Sequence, residues 1–251
     1  MALSHVTFTG WDRHTDLHDL SAFLDRCPQD RVEVAVLHST SRIDDDRYPD
    51  VDKAVAILRA AKAAGQRSAV HLCGRIAGAF LNYSDALVAA SPLIRLADRV
   101  QVNVPEDFWR GRGDQKYKRA YDLARTIGRP VIVQTRDIDG WPDVEPLAPG
   151  AGRMVPFLFD RSAGAGAEAT VWPEPPDRLV GYAGGLGPDN IAGWVSKVAL
   201  RGHARFWVDM ESGIRVDFPG SERRPDEPPV PSFVSIAKCS AVMEAVAPFL
   251  A

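Results

Sequence analysis

Eight short apolar runs, rich in β-branched residues and mostly parted by helical patterns, constrain this chain more than any other feature. They fall at 5–10, 32–40, 68–74, 99–104, 131–135, 155–160, 179–183 and 206–212. Runs this continuous suit strands buried on both faces, as in a parallel sheet. Helical patterns cover 15–27, 51–65, 75–90, 115–127, 188–199 and 233–250. The first shows the spacing plainly, with Leu17, Leu20, Phe23 and Leu24 on one stripe. Strand–helix alternation points to α/β architecture, and eight units in 251 residues predict one closed (βα)8 TIM barrel over 1–251. An open doubly wound sheet is the alternative, but the first turn, TGWDRHTD, lacks GxGxxG. After runs five and six the segments WPDVEPLAPG and VWPEPPD are proline-rich, so those helices read as short or missing.

Composition narrows the function classes. The chain is 45% hydrophobic with a formal net charge of −3, and it shows no basic patch or motif for nucleic acid. No apolar run reaches the roughly 18 residues of a membrane span, and MALSHVTFTG lacks the pattern of a secretory signal. Cys27, Cys73 and Cys239 form neither a disulfide framework nor a CxxC zinc pair. These features predict a cytoplasmic protein without nucleic-acid or membrane partners, with no cofactor and no metal. His14 and His18 read as four apart on a helix, a metal-capable spacing with no third ligand, and as surface. Asp44, Asp45 and Asp46 read as a solvated loop.

In a barrel, alternate strand residues face inward and the site lies at the C-terminal strand ends. Read two residues apart, those ends offer Thr7 and Thr9, His71 and Cys73, Gln101 and Asn103, Gln134, Asp160, and Asp209 with Glu211. The N-terminal halves are mostly apolar, so polarity gathers on one rim. Thr7 reads as core filler, His71 as a structural or a catalytic histidine, and Cys73 as an inert thiol unless charge lowers its pKa. Asp160 and Asp209 stand out, because buried carboxylates require a partner or a role.

Run seven ends in Gly184-Gly185, and Pro188 suits a first helical turn just after it. Run eight ends in Ser212-Gly213. Glycines let backbone N–H groups approach a ligand, and a helix start favours an anion, so both junctions read as a phosphate cradle. A plain strand-to-helix turn is the bland alternative. Residues 217–231, DFPGSERRPDEPPVP, follow run eight and read as a mobile rim whose Arg223 and Arg224 attract an anionic ligand.

These residues together resemble the phosphoribosylanthranilate isomerase family, whose members are (βα)8 enzymes. AGGLGPDNI is similar to the family's strand-seven motif, and VDMESGIR followed by Pro219-Gly220 to its strand-eight Asp-Val-Ser-Ser-Gly and later Pro-Gly. RVQVN, FLFDRSAGAG and DRYPD match its strand-four, strand-six and post-strand-two motifs in family order. The resemblance implies an Amadori rearrangement of a phosphorylated aminoaldose to an aminoketose. It implies Asp160 as the acid, and phosphate held around Gly164, Gly166, Gly184, Gly185, Ser212 and Gly213. It also implies Arg47, with Arg42 as a rival, for a substrate carboxylate. Gln101, Asn103 and Asp209 complete the expected substrate contacts. The family's basic cysteine falls at Thr9, its strand-four histidine at Asn103, and a strand-eight serine at Glu211. The base is then Thr9 itself or a relocated Cys73, His71 or Glu211. A lyase or aldolase on the same kind of substrate is the second reading, disfavoured as a Schiff-base enzyme because no lysine lies at a strand end. A barrel that binds a phosphorylated metabolite without turnover is the third.

Overall fold

The computed structural model describes residues 3–42, 44–82, 91–103, 115–135, 156–160, 171–173, 179–200, 205–219 and 231–250. Eight parallel strands close into a barrel in sequence order, with β1 (Leu3–Thr9) pairing both β2 (Val32–His38) and β8 (Phe206–Met210). Between them run β3 (Arg67–Cys73), β4 (Arg99–Asn103), β5 (Val131–Thr135), β6 (Phe157–Asp160) and β7 (Val180–Ala183). The (βα)8 barrel expected from the alternation is the fold. Around it stand α1 (Leu17–Leu24), α2 (Val51–Ala63), α3 (Arg75–Leu81), α4 (Pro92–Leu96), α5 (Gln115–Ile127), α6 (Ile191–Ala199) and α7 (Ile236–Val246). The stretches expected to lack helices after β5 and β6, and the end of the helical pattern at 83–90, lie outside the described residues.

Local chemistry sets the helix starts. The Asp16, Asp50 and Ser235 side chains accept backbone N–H bonds at the first turns of α1, α2 and α7. Three expectations shift. His14 precedes the Asp16 cap, so it does not share a helix with His18. Pro188 lies in a turn, and α6 begins only after Asn190. The last helix is shorter than its pattern, because Ser232–Val234 form β10, antiparallel to β9 (Arg215–Asp217). The proline-rich rim is thus paired at its two ends, while 220–230 lie outside the described residues.

The core has two parts. Outward strand residues such as Val6, Phe8, Val34 and Val36 pack under the helices. Inside the barrel, Ile132, Leu158, Ala183 and Trp207 form a second cluster. Gly181 is small because a Cβ there would lie 2.2 Å from the Trp207 ring. At constant height the register climbs about one residue per strand, the stagger that closes an eight-stranded barrel. Inward residues therefore stack in layers from alternate strands. Glu33, Arg99 and Trp207 lie lowest, then Thr7, Ala69, Ile132 and Gly181, then Ala35, Gln101, Leu158 and Asp209. Thr9, His71, Gln134 and Ala183 follow, and Leu37, Asn103, Asp160 and Glu211 form the C-terminal mouth.

The lower interior is not apolar. Glu33 and Arg99 are buried there as an ion pair, at 1% and 7% exposure. Thr7 donates to Glu33 Oε1 at 3.0 Å and accepts from Arg99 at 2.9 Å, so it is a network member rather than filler. The Arg99 guanidinium also lies 4.7 Å from the centre of the Trp207 ring. Breaking a buried pair leaves an uncompensated charge, whereas replacing both partners by apolar groups is often tolerated. Glu33→Leu is expected to lower unfolding free energy by about 3–5 kcal/mol. Adding Arg99→Met to Glu33→Leu is expected to recover most of that loss in urea titrations.

Candidate active site

The C-terminal mouth brings together most of the residues expected there. Thr9, at the end of β1, donates to Asp209 Oδ1 at 2.6 Å. Both are buried, at 3% and 5% exposure. Burial pushes the Asp209 carboxyl up to about 7, raised further by Glu33 and Glu211, while the Thr9 hydrogen bond and Arg99 restrain it. Asp160 lies buried at the end of β6 and accepts from Gln134 Nε2 at 2.6 Å. Asp160 and Asp209 come from alternate even strands and face the same interior, as Leu158 and Trp207 do in the cluster below them.

Glu211 stands just past β8, in the mouth layer. Arg47 reaches it from the loop before α2, with Nη1 3.2 Å from Oε1, and also holds Asp45 at 3.2 Å. Burial raises the Glu211 carboxyl, and the Arg47 charge opposes that shift. Arg42 contacts the Tyr48 hydroxyl at 3.2 Å instead. The acidic loop expected to be solvated is engaged, since Asp46 pairs with Arg13 at 3.3 Å and His14 at 3.4 Å.

His71, Gln101, Asn103 and Cys73 form a connected chain across β3 and β4. Gln101 Nε2 lies 3.3 Å from His71 Nδ1 and 3.1 Å from Asn103 Oδ1. Asn103 Nδ2 donates to Cys73 Sγ at 3.7 Å, and the thiol donates to the His71 carbonyl at 3.7 Å. Burial raises the Cys73 thiol to about 11 and lowers His71 to about 3. At neutral pH Cys73 is therefore a thiol and His71 a neutral imidazole. Neither fits the role of relocated base, because burial outweighs the Arg42 charge on the thiol and strips the imidazole of basicity. Asp209, expected only as a substrate contact, has the ionisation that acid–base work needs.

The two glycine junctions meet. Gly184 and Gly185 take φ of +112° and +61°, in the region that favours glycine. Asn190 holds the turn by accepting from Gly187 N at 3.0 Å and donating to the Gly185 carbonyl at 2.9 Å. A Cβ on Gly213 would lie 2.0 Å from the Leu186 carbonyl oxygen, so only glycine lets the loop beside Ser212 pack there. The N–H groups of Gly184, Gly185 and Gly213 donate to no described residue. Gly164 and Gly166 lie outside the described residues.

Behind the mouth, Arg215 ties the β9–β10 hairpin to the first loop. It donates to the Gly10 carbonyl and to buried Asp12, both at 2.8 Å, and to Ser232 Oγ at 2.9 Å. The sequence reading missed this clamp, although an arginine directly after Ser-Gly-Ile was its visible sign. Among the described residues no group of three His, Cys, Asp or Glu side chains could hold a metal ion. None of the described helices is long and apolar enough to cross a membrane.

No family model and no curated protein matches the chain. Among solved structures, a GH113 β-1,4-mannanase is 12% identical with a TM-score of 0.53, covering 98% of both chains. Thiamine phosphate pyrophosphorylase from Pyrococcus furiosus is 11% identical with a TM-score of 0.49, covering 99% of this chain and 98% of that one. A GH5_18 protein from Streptomyces cattleya is 15% identical with a TM-score of 0.46, over 99% and 81%. At such identity the mannanase likeness is one of fold, and it agrees with the closed barrel.

The raised Asp209 carboxyl gives a signed pH expectation. Unfolded, the group titrates near 3.9, so between about pH 4 and 7 the folded state binds more protons. Its contribution to stability is complete below that window and is lost as pH rises through about 7. Asp209→Asn is expected to flatten this part of the profile in unfolding midpoints measured from pH 4 to 8.

Proposed function

We propose that this barrel is an acid–base isomerase of the phosphoribosylanthranilate isomerase kind, acting on a phosphorylated sugar or aminosugar. The carrying observation is the Thr9–Asp209 couple, a hydroxyl 2.6 Å from a carboxylate whose pKa lies at about 7. It stands where the resemblance puts the family's basic cysteine. A threonine hydroxyl alone is a poor base. With Asp209 behind it, the hydroxyl can take the substrate C2 proton while passing its own to the carboxylate. A base with pKa near the working pH suits that task. Asp160, oriented by Gln134, is the acid for the ring oxygen.

The sugar phosphate is anchored at the meeting glycine junctions, where the N–H groups of Gly184, Gly185 and Gly213, which donate to no described residue, can face a dianion. Arg47 is the candidate cation for a second anionic group. Binding there requires the substrate to compete with Glu211 and Asp45 for the guanidinium. The lyase reading has no strand-end lysine among the described residues to support a Schiff base.

The test is turnover of N-(5-phosphoribosyl)anthranilate by the wild type and four variants. Asp160→Asn, Asp209→Asn and Thr9→Val are each expected to lower kcat by about 10²–10⁴. Thr9→Cys is expected to raise it, because a thiol gives its proton to the carboxylate more readily than an alcohol does. Full activity in Asp160→Asn would overturn the assignment, and tight binding without turnover would favour a binding barrel.

A further inference from the structure

Two buried polar atoms inside the site are left without partners. His71 Nε2 and Gln101 Oε1 make no hydrogen bond to any described residue, in side chains only 1% and 2% exposed. Unmade buried hydrogen bonds are costly, so each such atom in a native site calls for an occupant. His71 shares its layer with Thr9, and the ring of an inward-pointing histidine carries Nε2 at its far edge, toward the barrel axis.

The tautomer follows from the chain behind it. The Cys73 proton points to the His71 carbonyl, so sulfur is left to accept from Asn103 Nδ2. Asn103 then turns Oδ1 toward Gln101, which must present Nε2 to it at 3.1 Å. The same Gln101 nitrogen faces His71 Nδ1 at 3.3 Å, so Nδ1 accepts and the ring proton sits on Nε2. Burial and the Arg99 charge below keep the ring neutral.

We propose that His71 is a neutral hydrogen-bond donor in catalysis, its Nε2–H given to the sugar oxygen that gains negative charge: O1 of an open-chain aldose as C2 loses its proton, or the ring oxygen of an aminosugar as its bond to C1 breaks. Gln101, Asn103 and Cys73 are positioning residues that fix the donor nitrogen. The choice of a sugar oxygen rests on the isomerase reading above. A preorganised donor at such an oxygen stabilises the transition state more than the ground state. A neutral imidazole gives up its proton far less readily than an imidazolium, so it stabilises the charge mainly by hydrogen bonding.

The experiment joins kinetics to 15N-detected NMR of the histidine rings in the intact chain. In the free protein His71 is expected to show the Nε2–H tautomer and to stay neutral down to pH 5. Ribose 5-phosphate, ribulose 5-phosphate and N-(5-phosphoribosyl)anthranilate serve as probes, and at least one is expected to move its Hε2 resonance downfield. His71→Leu is expected to lower kcat by about 10²-fold or more with KM little changed, and His71→Gln to restore part of that loss. Gln101→Leu is expected to mix the two tautomers and lower kcat by less. If the wild type does not turn over the anthranilate substrate, the isomerase reading fails, and the NMR titration with the two pentose phosphates decides the donor role alone. A dominant Nδ1–H tautomer, a ring that protonates above pH 5, or an Hε2 resonance that none of the three probes moves would overturn it.

Discussion

The barrel is organised around a charge pair at its lower end. Arg99 and Glu33 are buried where a barrel of this size usually carries branched aliphatic side chains. Two charges taken out of water are tolerated only with good geometry and further hydrogen bonds. Thr7 supplies hydrogen bonds to both, and Trp207 offers its ring face to the guanidinium. Trp207 in turn requires Gly181 on β7, so the pair constrains β1, β2, β4, β7 and β8 together. The ion pair therefore sets which side chains fit above it, and those are the side chains of the site.

Much of the fold was legible because burial writes itself into composition. Strands buried on both faces need apolar residues at nearly every position, and eight such runs admit few closed arrangements. What escaped were features decided by partners distant in sequence. Phe233 and Val234 fit the apolar helical stripe, but pairing with Arg215 and Val216 draws them into β10. His14 matched helical spacing with His18 until the Asp16 side chain capped the helix behind it. Glu33 and Arg99 sit near strand starts, where a charge reads as the end of a loop. Nothing local shows that both point inward at one height.

The site was legible by parity and illegible in its protonation. Alternation alone placed Thr9, His71, Gln101, Asn103, Asp160 and Asp209 on the inner face, and the registers bring them into adjacent layers. Which of them is a base depends on cross-strand neighbours. Thr9 and Asp209 are 200 residues apart in the chain yet 2.6 Å apart in space. Cys73 had the right chemistry for a nucleophile or base, but burial raises its pKa by more than the Arg42 charge lowers it. Arg47 matched the resemblance in position, and only the structure shows Glu211 and Asp45 already engaging it.

The floor of the barrel also explains how two neighbouring groups can have opposite characters. Burial disfavours the charged form of any side chain, raising a carboxyl and lowering an imidazole. A cation beneath the site adds a second push, downward for both groups. Arg99 lowers both groups, so for His71 it reinforces burial and for Asp209 it opposes it. The imidazole is driven to about 3 and is neutral at neutral pH, while the carboxyl is held back at about 7. Glu33, the partner of Arg99, pushes Asp209 the other way, so the pair as a whole holds the carboxyl close to where burial and Thr9 leave it. Burial and one buried arginine thus act together to keep the imidazole neutral, and against each other to leave a carboxylate that titrates near neutral pH.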